Sequence, residues 1–267
     1  MSLKFDYPIA YISDCRDENT KGRLSTRVAS YFTGNITFVG VNNEYEASLN
    51  LVDVIDAYDG EKGLIFANVA PRHGKAKRWE NGTPFGHLRF ENLDIFTTID
   101  GYVLSLLQKL SGQKLEIAVY DIPHTIEKMD LSEKLREQIR KTQFRSFEYL
   151  PRLAREIMHG KALPKKIFAE VPTMPKAMCW VDCFGNIKTS LLPEEVGFAT
   201  GKIVDLKFGG KKVSLPCYER LKDIPDDEVG LTIGSSGLGE KRLLEIMAQG
   251  GSASHKLDAK SGLEIEQ

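Results

Sequence analysis

The sequence predicts an α/β fold: a larger, mostly parallel sheet domain with helices on both faces, followed by a small all-β, barrel-like domain. Three observations carry this. Short apolar runs alternate with helix-period segments through the first 70 residues, the pattern of strand–helix–strand units in a parallel sheet. The composition changes around Pro172–Pro175 (PTMP), after which come short, alternating, Gly-punctuated segments with few helical signals. The chain also has 267 residues with 42% hydrophobic content, ample for one large core or two modest ones and too apolar for disorder. The domains are accordingly read as residues 1–172 and 173–267.

The elements follow in order. Ile9–Ser13 (IAYIS) reads as a strand ending at Asp14, and Leu24, Val28 and Tyr31–Phe32 recur at helical spacing. Ile36–Val41 is a second strand, and Ala47–Tyr58 a helix with Leu49, Val52 and Ile55 on its apolar face. Gly63–Val69 is a third strand. His87–Phe90 and Asp94–Thr98 read as short strands, Tyr102–Leu110 as a helix, and Leu115–Asp121 as another strand. Residues 131–166 read as two helical stretches holding ten Lys or Arg and four Glu. The second domain's strands are expected at Ala177–Val181, Ile187–Leu191, Lys202–Phe208, Lys212–Leu215, Val229–Ile233 and Leu263–Glu266.

Several function classes are disfavoured. The 36 Lys+Arg and 37 Asp+Glu leave a net charge of −1, against a surface that is basic all over for nucleic acid or lipid. The basic 131–166 block lacks aromatic interleaving of the kind that stacks bases, and reads as solvated helix faces. No apolar run spans a membrane, and Asp6 interrupts the N-terminal segment before any signal-peptide core forms, so a cytoplasmic protein is expected. Four scattered cysteines make no disulfide framework, and the Cys179–Cys183 pair has no matching zinc ligands, so no metal is expected. There is no G-x-G-x-x-G, Walker, G-x-S-x-G or H-E-x-x-H motif. Gly234–Lys241 (GSSGLGEK) reads as a hairpin or binding loop.

What remains is polar chemistry where a sheet protein builds ligand sites. Asp14 follows a buried strand. A carboxylate there either accepts both hydroxyls of a ribose, as acidic residues at strand ends do, or stabilises its own loop. Asp182–Asn186 (DCFGN) is either a tight turn between strands or a charge and a planar amide presented to a polar ligand. Gly251–Ser254 (GSAS) is a small-residue turn that permits close approach of a flat ring.

Taken together, these segments resemble the S-adenosyl-L-methionine (SAM) hydroxide adenosyltransferase family, the SAM hydrolases, which includes the fluorinase and chlorinase. Val181–Ser190 (VDCFGNIKTS) resembles the family's I-D-x-F-G-N-x-x-T-N signature. Gly251–Leu257 (GSASHKL), followed by SGLEIE, resembles its closing G-S-A-A-x-x-L and G-D-x-V-x-I segments. IAYISDC resembles the opening strand with its Asp, and Asp94–Leu104 (DIFTTIDGYVL) the A-P-D-N-G-x-L segment. The resemblance implies a larger α/β domain with a small β-barrel. It also implies a homotrimer with SAM between the large domain of one subunit and the small domain of the next, and no cofactor beyond SAM itself as substrate or ligand. By position, Asp14 would hold the ribose hydroxyls and Asp182 the methionine ammonium. Asn186 and the Ala253 backbone would contact adenine, with Phe184 of the same motif also counted as substrate-binding. Ser235 or Ser236 would lie near the methionine carboxylate, and Ser146 close to the nucleophile pocket.

The departures fall on the water-activating residues. The family's V-D-P-G-V-G reads VAPRHG at Val69–Gly74, with Ala70 in place of the acid. Arg145 stands for the His of T-F-H-G-R-D, Phe147 for its Arg, and Asp100 where Asn is usual. Arg72, His73, Lys77 and Arg78 are candidates to take over. The implied activity is hydrolysis of SAM to adenosine and L-methionine. The alternative is a SAM- or adenosine-binding protein of the same fold with little or no turnover.

Overall fold

The strand Ile9–Ser13 (β1) is buried at all five positions, which calls for hydrogen-bonded neighbours on both edges and cover on both faces. The computed structural model describes residues 5–69, 79 and 82–266. It supplies those neighbours as Ile36–Gly40 (β2) and Gly63–Asn68 (β3), both parallel to β1. The crossovers are helices Glu18–Ala29 (α1) and Glu44–Ala57 (α2). α1 starts where the Asp17 carboxylate accepts the Thr20 N–H at 2.9 Å, and it buries Leu24 and Val28, four residues apart on one face.

Phe85–Phe90 (β4) and Leu93–Thr98 (β5) form an antiparallel hairpin, and β5 runs parallel to β3. Helix Ser105–Ser111 (α3) leads to strand Ile117–Tyr120 (β6). Helices Ile122–Ile126 (α4), Glu133–Lys141 (α5), Arg145–Glu148 (α6) and Leu150–Met158 (α7) follow, then edge strand Lys166–Phe168 (β7). The sheet order is β2-β1-β3-β5-β4-β6-β7, and five of the seven strands point the same way. Residues 131–166 thus hold three helices where periodicity indicated two. Pro151 opens α7 immediately after α6 and divides the second stretch.

One row of rings crosses this sheet. Phe38, Tyr11, Phe66, Phe96 and His87 are partners in register on β2, β1, β3, β5 and β4. Their centroids are 5.7, 5.3, 5.9 and 4.5 Å apart with near-parallel planes. The Tyr11 hydroxyl, fully buried, donates to the Ser146 carbonyl at 3.2 Å and so ties α6 to the central strand.

The chain divides into two compact units. The first comprises Met1–Ala47, Tyr58–Val103 and Lys114–Val171; the second comprises Ser48–Ala57, Leu104–Gln113 and Pro172–Gln267. The second unit therefore takes in most of α2 and all of α3, segments that the sequence reading assigned to the first domain. Its strands are Met178–Val181 (β8), Ile187–Thr189 (β9), Ile203–Phe208 (β10), Lys211–Pro216 (β11), Val229–Leu238 (β12) and Lys241–Ala248 (β13), followed by helix Ala253–Leu257 (α8). A four-stranded sheet β12-β13-β9-β8 and a hairpin β10-β11 enclose a core that includes Met178, Ile187, Leu206, Phe208, Leu231, Leu244 and Ile246. Bridges Ala177–Glu264, Lys207–Glu266 and Cys217–Leu231 connect the pieces, so the strand edges find partners. The C-terminal Leu263–Glu266 segment, expected as a strand, contributes only these isolated bridges. β13 was not anticipated, because its run RLLEIMA is buried on both faces and shows no alternation.

Phe66→Ala removes the middle of the aromatic row and should cost about 3–5 kcal/mol in denaturant unfolding. Tyr11→Phe keeps the packing but orphans the Ser146 carbonyl, and a loss of about 1–2 kcal/mol is expected. Wild-type stability in both variants would contradict the role given to the row.

Candidate functional site

The strand order 2-1-3 creates a switch point. The chain leaves β1 for β2 and returns across β1 to β3, so the connections that follow β1 and β2 run in opposite directions, and sheets of this kind hold ligands outside the carboxyl ends at such a point. Asp14, one residue beyond β1, lies there half-buried. Beside it the Ser13 hydroxyl donates to the Asn68 carbonyl at 3.2 Å and accepts the Cys15 N–H at 3.1 Å. The Cys15 thiol lies 3.6 Å from Asp14 Oδ1.

Polar residues continue along this edge. The Thr98 hydroxyl at the end of β5 donates to the Val69 carbonyl. Asp100, 3% exposed, accepts Trp79 Nε1–H at 3.3 Å and the Gly101 N–H at 3.1 Å. After β2, the buried Glu46 carboxylate accepts the Asn42 N–H at 2.7 Å and its side-chain amide at 2.9 Å. Glu44 accepts the Tyr102 N–H at 3.1 Å, and the Tyr45 and Tyr102 rings meet at 5.2 Å. Sequence reading points to the loops that start at Asp14 and at Asn68–Gly74, with Asp14 as the binding residue; of that second loop, residues 70–74 lie outside the described residues. Glu46 joins the edge through contacts that no local motif encodes.

Ser146 is buried in α6. Its neighbour Arg145, standing where the resemblance expects His, lies so close over Gly82 that a Cβ there would fall 1.6 Å from Nη1. Burial lowers the Arg145 pKa from its ordinary value, yet a guanidinium still cannot serve as a base. Phe147 stacks on Phe144 and lies 3.9 Å from the Arg27 guanidinium. Within the basic block, Arg136, Arg140, Lys141, Arg152 and Lys161 are all paired with glutamates. Ala70, Arg72, His73, Lys77 and Arg78 lie outside the described residues.

In the second unit Asp182–Asn186 is a closed turn. Asp182 Oδ1 accepts the N–H groups of Phe184 (2.9 Å) and Asn186 (3.0 Å), and Oδ2 accepts the Asn186 side-chain amide (3.0 Å). Gly185 at φ +83° turns the chain, and Phe184 projects outward, 76% exposed. The Gly185 carbonyl accepts the Ser254 N–H at 2.9 Å, which joins this turn to the start of α8. There Ser252 Oγ caps the helix by accepting the His255 N–H at 3.1 Å, and Ala253 is fully buried. Asp182, Phe184, Asn186 and Ala253 are thus brought together, though about 70 residues separate the two segments.

Ser235 and Ser236 sit in a bulge of β12 between Ile233 and Gly237. Gly234–Lys241 is the end of this strand and its turn into β13, a hairpin. The two serines differ: Ser236 is buried and donates to Asp53 Oδ2 on α2 at 2.8 Å, while Ser235 is exposed. Lys188 Nζ lies 3.5 Å from Ser235 Oγ and 3.5 Å from Glu245, and Lys188 and Glu245 are both buried. Burial raises the Glu245 and Asp53 carboxyls above their ordinary range, outweighing the attraction of Lys188. Asp53, Lys188 and Glu245 were missed as site-forming residues. The available signal was a charge set between apolar neighbours: Asp53 between Val52 and Val54, and Glu245 between Leu244 and Ile246.

Among the described residues no group of three or more His, Cys, Asp or Glu side chains is arranged to hold a metal ion. No helix among them is long and apolar enough to cross a membrane.

The fold matches two crystal structures along nearly their whole lengths. One is of an uncharacterized conserved protein from Thermotoga maritima, at TM-score 0.69 and 19% identity, covering 97% of this chain and 99% of that one. The other is of a conserved hypothetical protein from Thermus thermophilus, at TM-score 0.61 and 18% identity, with the same coverages. At these identities the likeness speaks to a conserved α/β fold alone. No protein-family model matches the chain, and no curated protein matches it.

Gly185→Ala tests the joint between the turn and α8. A Cβ at this positive φ would meet Ser252 Oγ at 2.0 Å, and a loss of about 1–3 kcal/mol is expected in thermal or denaturant unfolding. A neutral substitution would mean that the two segments are not held as described.

Proposed function

We propose that this protein binds SAM and hydrolyses it to adenosine and L-methionine. The observation that carries the reading is the junction of Asp182–Asn186 with Ser252–Ser254. The two segments that resemble the family's signature and closing motif meet through the Gly185–Ser254 hydrogen bond. Asn186 Oδ1 accepts no hydrogen bond among the described residues, which suits the exocyclic amine of adenine. Asp14, beside a sheet switch point, suits the ribose hydroxyls. Asp182 retains lone-pair capacity on Oδ2 for the methionine ammonium, and exposed Ser235 suits the carboxylate better than Ser236, whose hydroxyl is already engaged.

The chemistry asks little acid–base help. A water oxygen attacks the ribose 5′ carbon as the C5′–S bond breaks, the electron pair returns to sulfur, and a water proton passes to solvent. The sulfonium makes methionine a ready leaving group, so positioning and desolvation of the water supply much of the rate. In this reading Ser146, held to the central strand through Tyr11, helps position the water, and the active assembly is a homotrimer.

A second reading, binding with little or no turnover, is favoured by Arg145. It cannot accept a proton from water, and it is packed against Gly82. Incubation with SAM, followed by chromatography of adenosine and methionine, separates the two. Asp14→Ala should weaken SAM binding by about tenfold to a hundredfold, the loss of one or two charge-assisted hydrogen bonds. Asp182→Ala should also unfasten its own turn. Tight binding without products leaves the second reading, and no binding removes both.

A further inference from the structure

Lys188 and Glu245 take no part in the contacts proposed above, yet they lie directly beneath Ser235. They are cross-strand partners on β9 and β13, with side chains only 11% and 3% exposed. Trp180 pairs with Lys188 on one side and Thr232 with Glu245 on the other, so the four make one rung across the sheet. Alternation turns this rung away from the core formed by Ile187, Leu244 and Ile246.

Lys188 Nζ lies 3.5 Å from both Glu245 oxygens and 3.5 Å from Ser235 Oγ, and 5.9 Å from the Trp180 ring. All three oxygens sit at the outer limit of a hydrogen bond, so the ammonium is shared rather than captured. The bulge also packs closely on the carboxylate: a Cβ on Gly234 would fall 2.6 Å from Glu245 Oε2. The bulge and its glycine therefore make room for Glu245, and the same bulge displays Ser235 while Ser236 is pinned to Asp53.

We infer that Glu245 and Lys188 are a positioning pair. Ionised Glu245 holds Lys188 beneath Ser235 and keeps the bulge in its binding arrangement, and uptake of a proton by Glu245 releases it. The inference rests on the SAM reading only in taking Ser235 and Asp182 as ligand-facing. The charged groups around Glu245 are Lys188 on β9, Asp182 in the β8–β9 turn and Asp53 on α2. Arg242 on β13 is occupied by Asp56, at 2.8 and 3.2 Å. Once Glu245 is neutral, the attraction that holds Lys188 beneath Ser235 is gone.

The sign follows from burial. The folded-state carboxyl is raised, so the folded protein gains a proton above the ordinary glutamate range of about 4.3. The stability that the protonated form contributes is lost as pH rises through the raised value. Neutral pH therefore keeps the pair ionised at a cost in stability, and mild acid relaxes it.

Hydrogen exchange tests this without any ligand. Peptides covering the bulge and the Asp182 turn are followed in wild type, Glu245→Gln and Lys188→Met, with the β10–β11 hairpin as internal reference. Exchange at Ser235–Gly237 should rise about tenfold in both variants, with the hairpin unchanged. Wild type should show the same rise on acidification toward the ordinary glutamate range, after correction for intrinsic rates, and Glu245→Gln should not. Unchanged exchange in the bulge overturns the inference. If a variant loosens the hairpin as well, the wild-type acidification still decides.

SAM affinity by equilibrium dialysis between about pH 5 and 8 is the second arm. Wild type should lose about tenfold at the acid end, and Glu245→Gln should start weak and vary less. Identical pH profiles would sink the positioning pair and leave the SAM reading standing. Absence of SAM binding at every pH would sink the SAM reading, while the exchange result still judges the pair.

Discussion

The stacked row Phe38–Tyr11–Phe66–Phe96–His87 is the constraint on which the first unit depends. Side chains alternate across a sheet, so a slip of one residue in any pairing would send that strand's ring to the opposite face. Each aromatic contact adds about 0.5–1.5 kcal/mol beyond its buried area, enough to penalise every such slip. Register in turn decides where Asp14, Asn68 and Asp100 emerge at the carboxyl ends. Tyr11 does two jobs: its ring holds the centre of the row, and its hydroxyl fixes α6 and hence Ser146 and Arg145. At the far end His87 is held at 2.7 Å by Asp94, which closes the row with a polar contact near the surface.

The second unit solves a different problem. Its β13 strand is buried on both faces, yet it carries Glu245, and β9 carries Lys188 opposite it. Buried ion pairs seldom add net stability, because desolvation offsets the attraction. That balance is visible here, since the Glu245 carboxyl stays raised despite the neighbouring ammonium. An apolar pair would pack more cheaply but would not reach the Ser235 hydroxyl or occupy the space under Gly234. The arrangement gives up stability to shape a bulge.

Binding chemistry is better represented than base chemistry. The polar groups at the sheet edge and in the Asp182 turn are carboxylates and amides held in place by backbone N–H groups. That suits hydroxyls, amines and a sulfonium. Arg145 contributes charge and packing but no proton acceptor. The basic helices α5–α7 are largely neutralised by their own glutamates, and Phe144 and Phe147 are covered by Arg23 and Arg27 at 4.8 and 3.9 Å. The aromatics of that block are therefore already stacked within the protein.

Local pattern was sufficient for the early strand–helix alternation, where the signal is the period of neighbouring residues. At Asp182–Asn186 it left a tight turn and a ligand-presenting segment open, and the structure shows the turn, closed by the Asp182 carboxylate. Local pattern failed at β13 and at the division of α6 from α7, where burial on both faces or helix–helix abutment erases periodicity. It also left Asp14, Ser235 and Ser236 with open roles. Only the tertiary structure separated Ser235 from Ser236, through Asp53 some 180 residues away, and joined Gly185 to Ser254. It alone assigned two helical segments from the first half of the chain to the second unit. The reason is physical: hydrogen-bond partners and desolvation are set by what folds against a residue, and one-dimensional spacing carries no record of that.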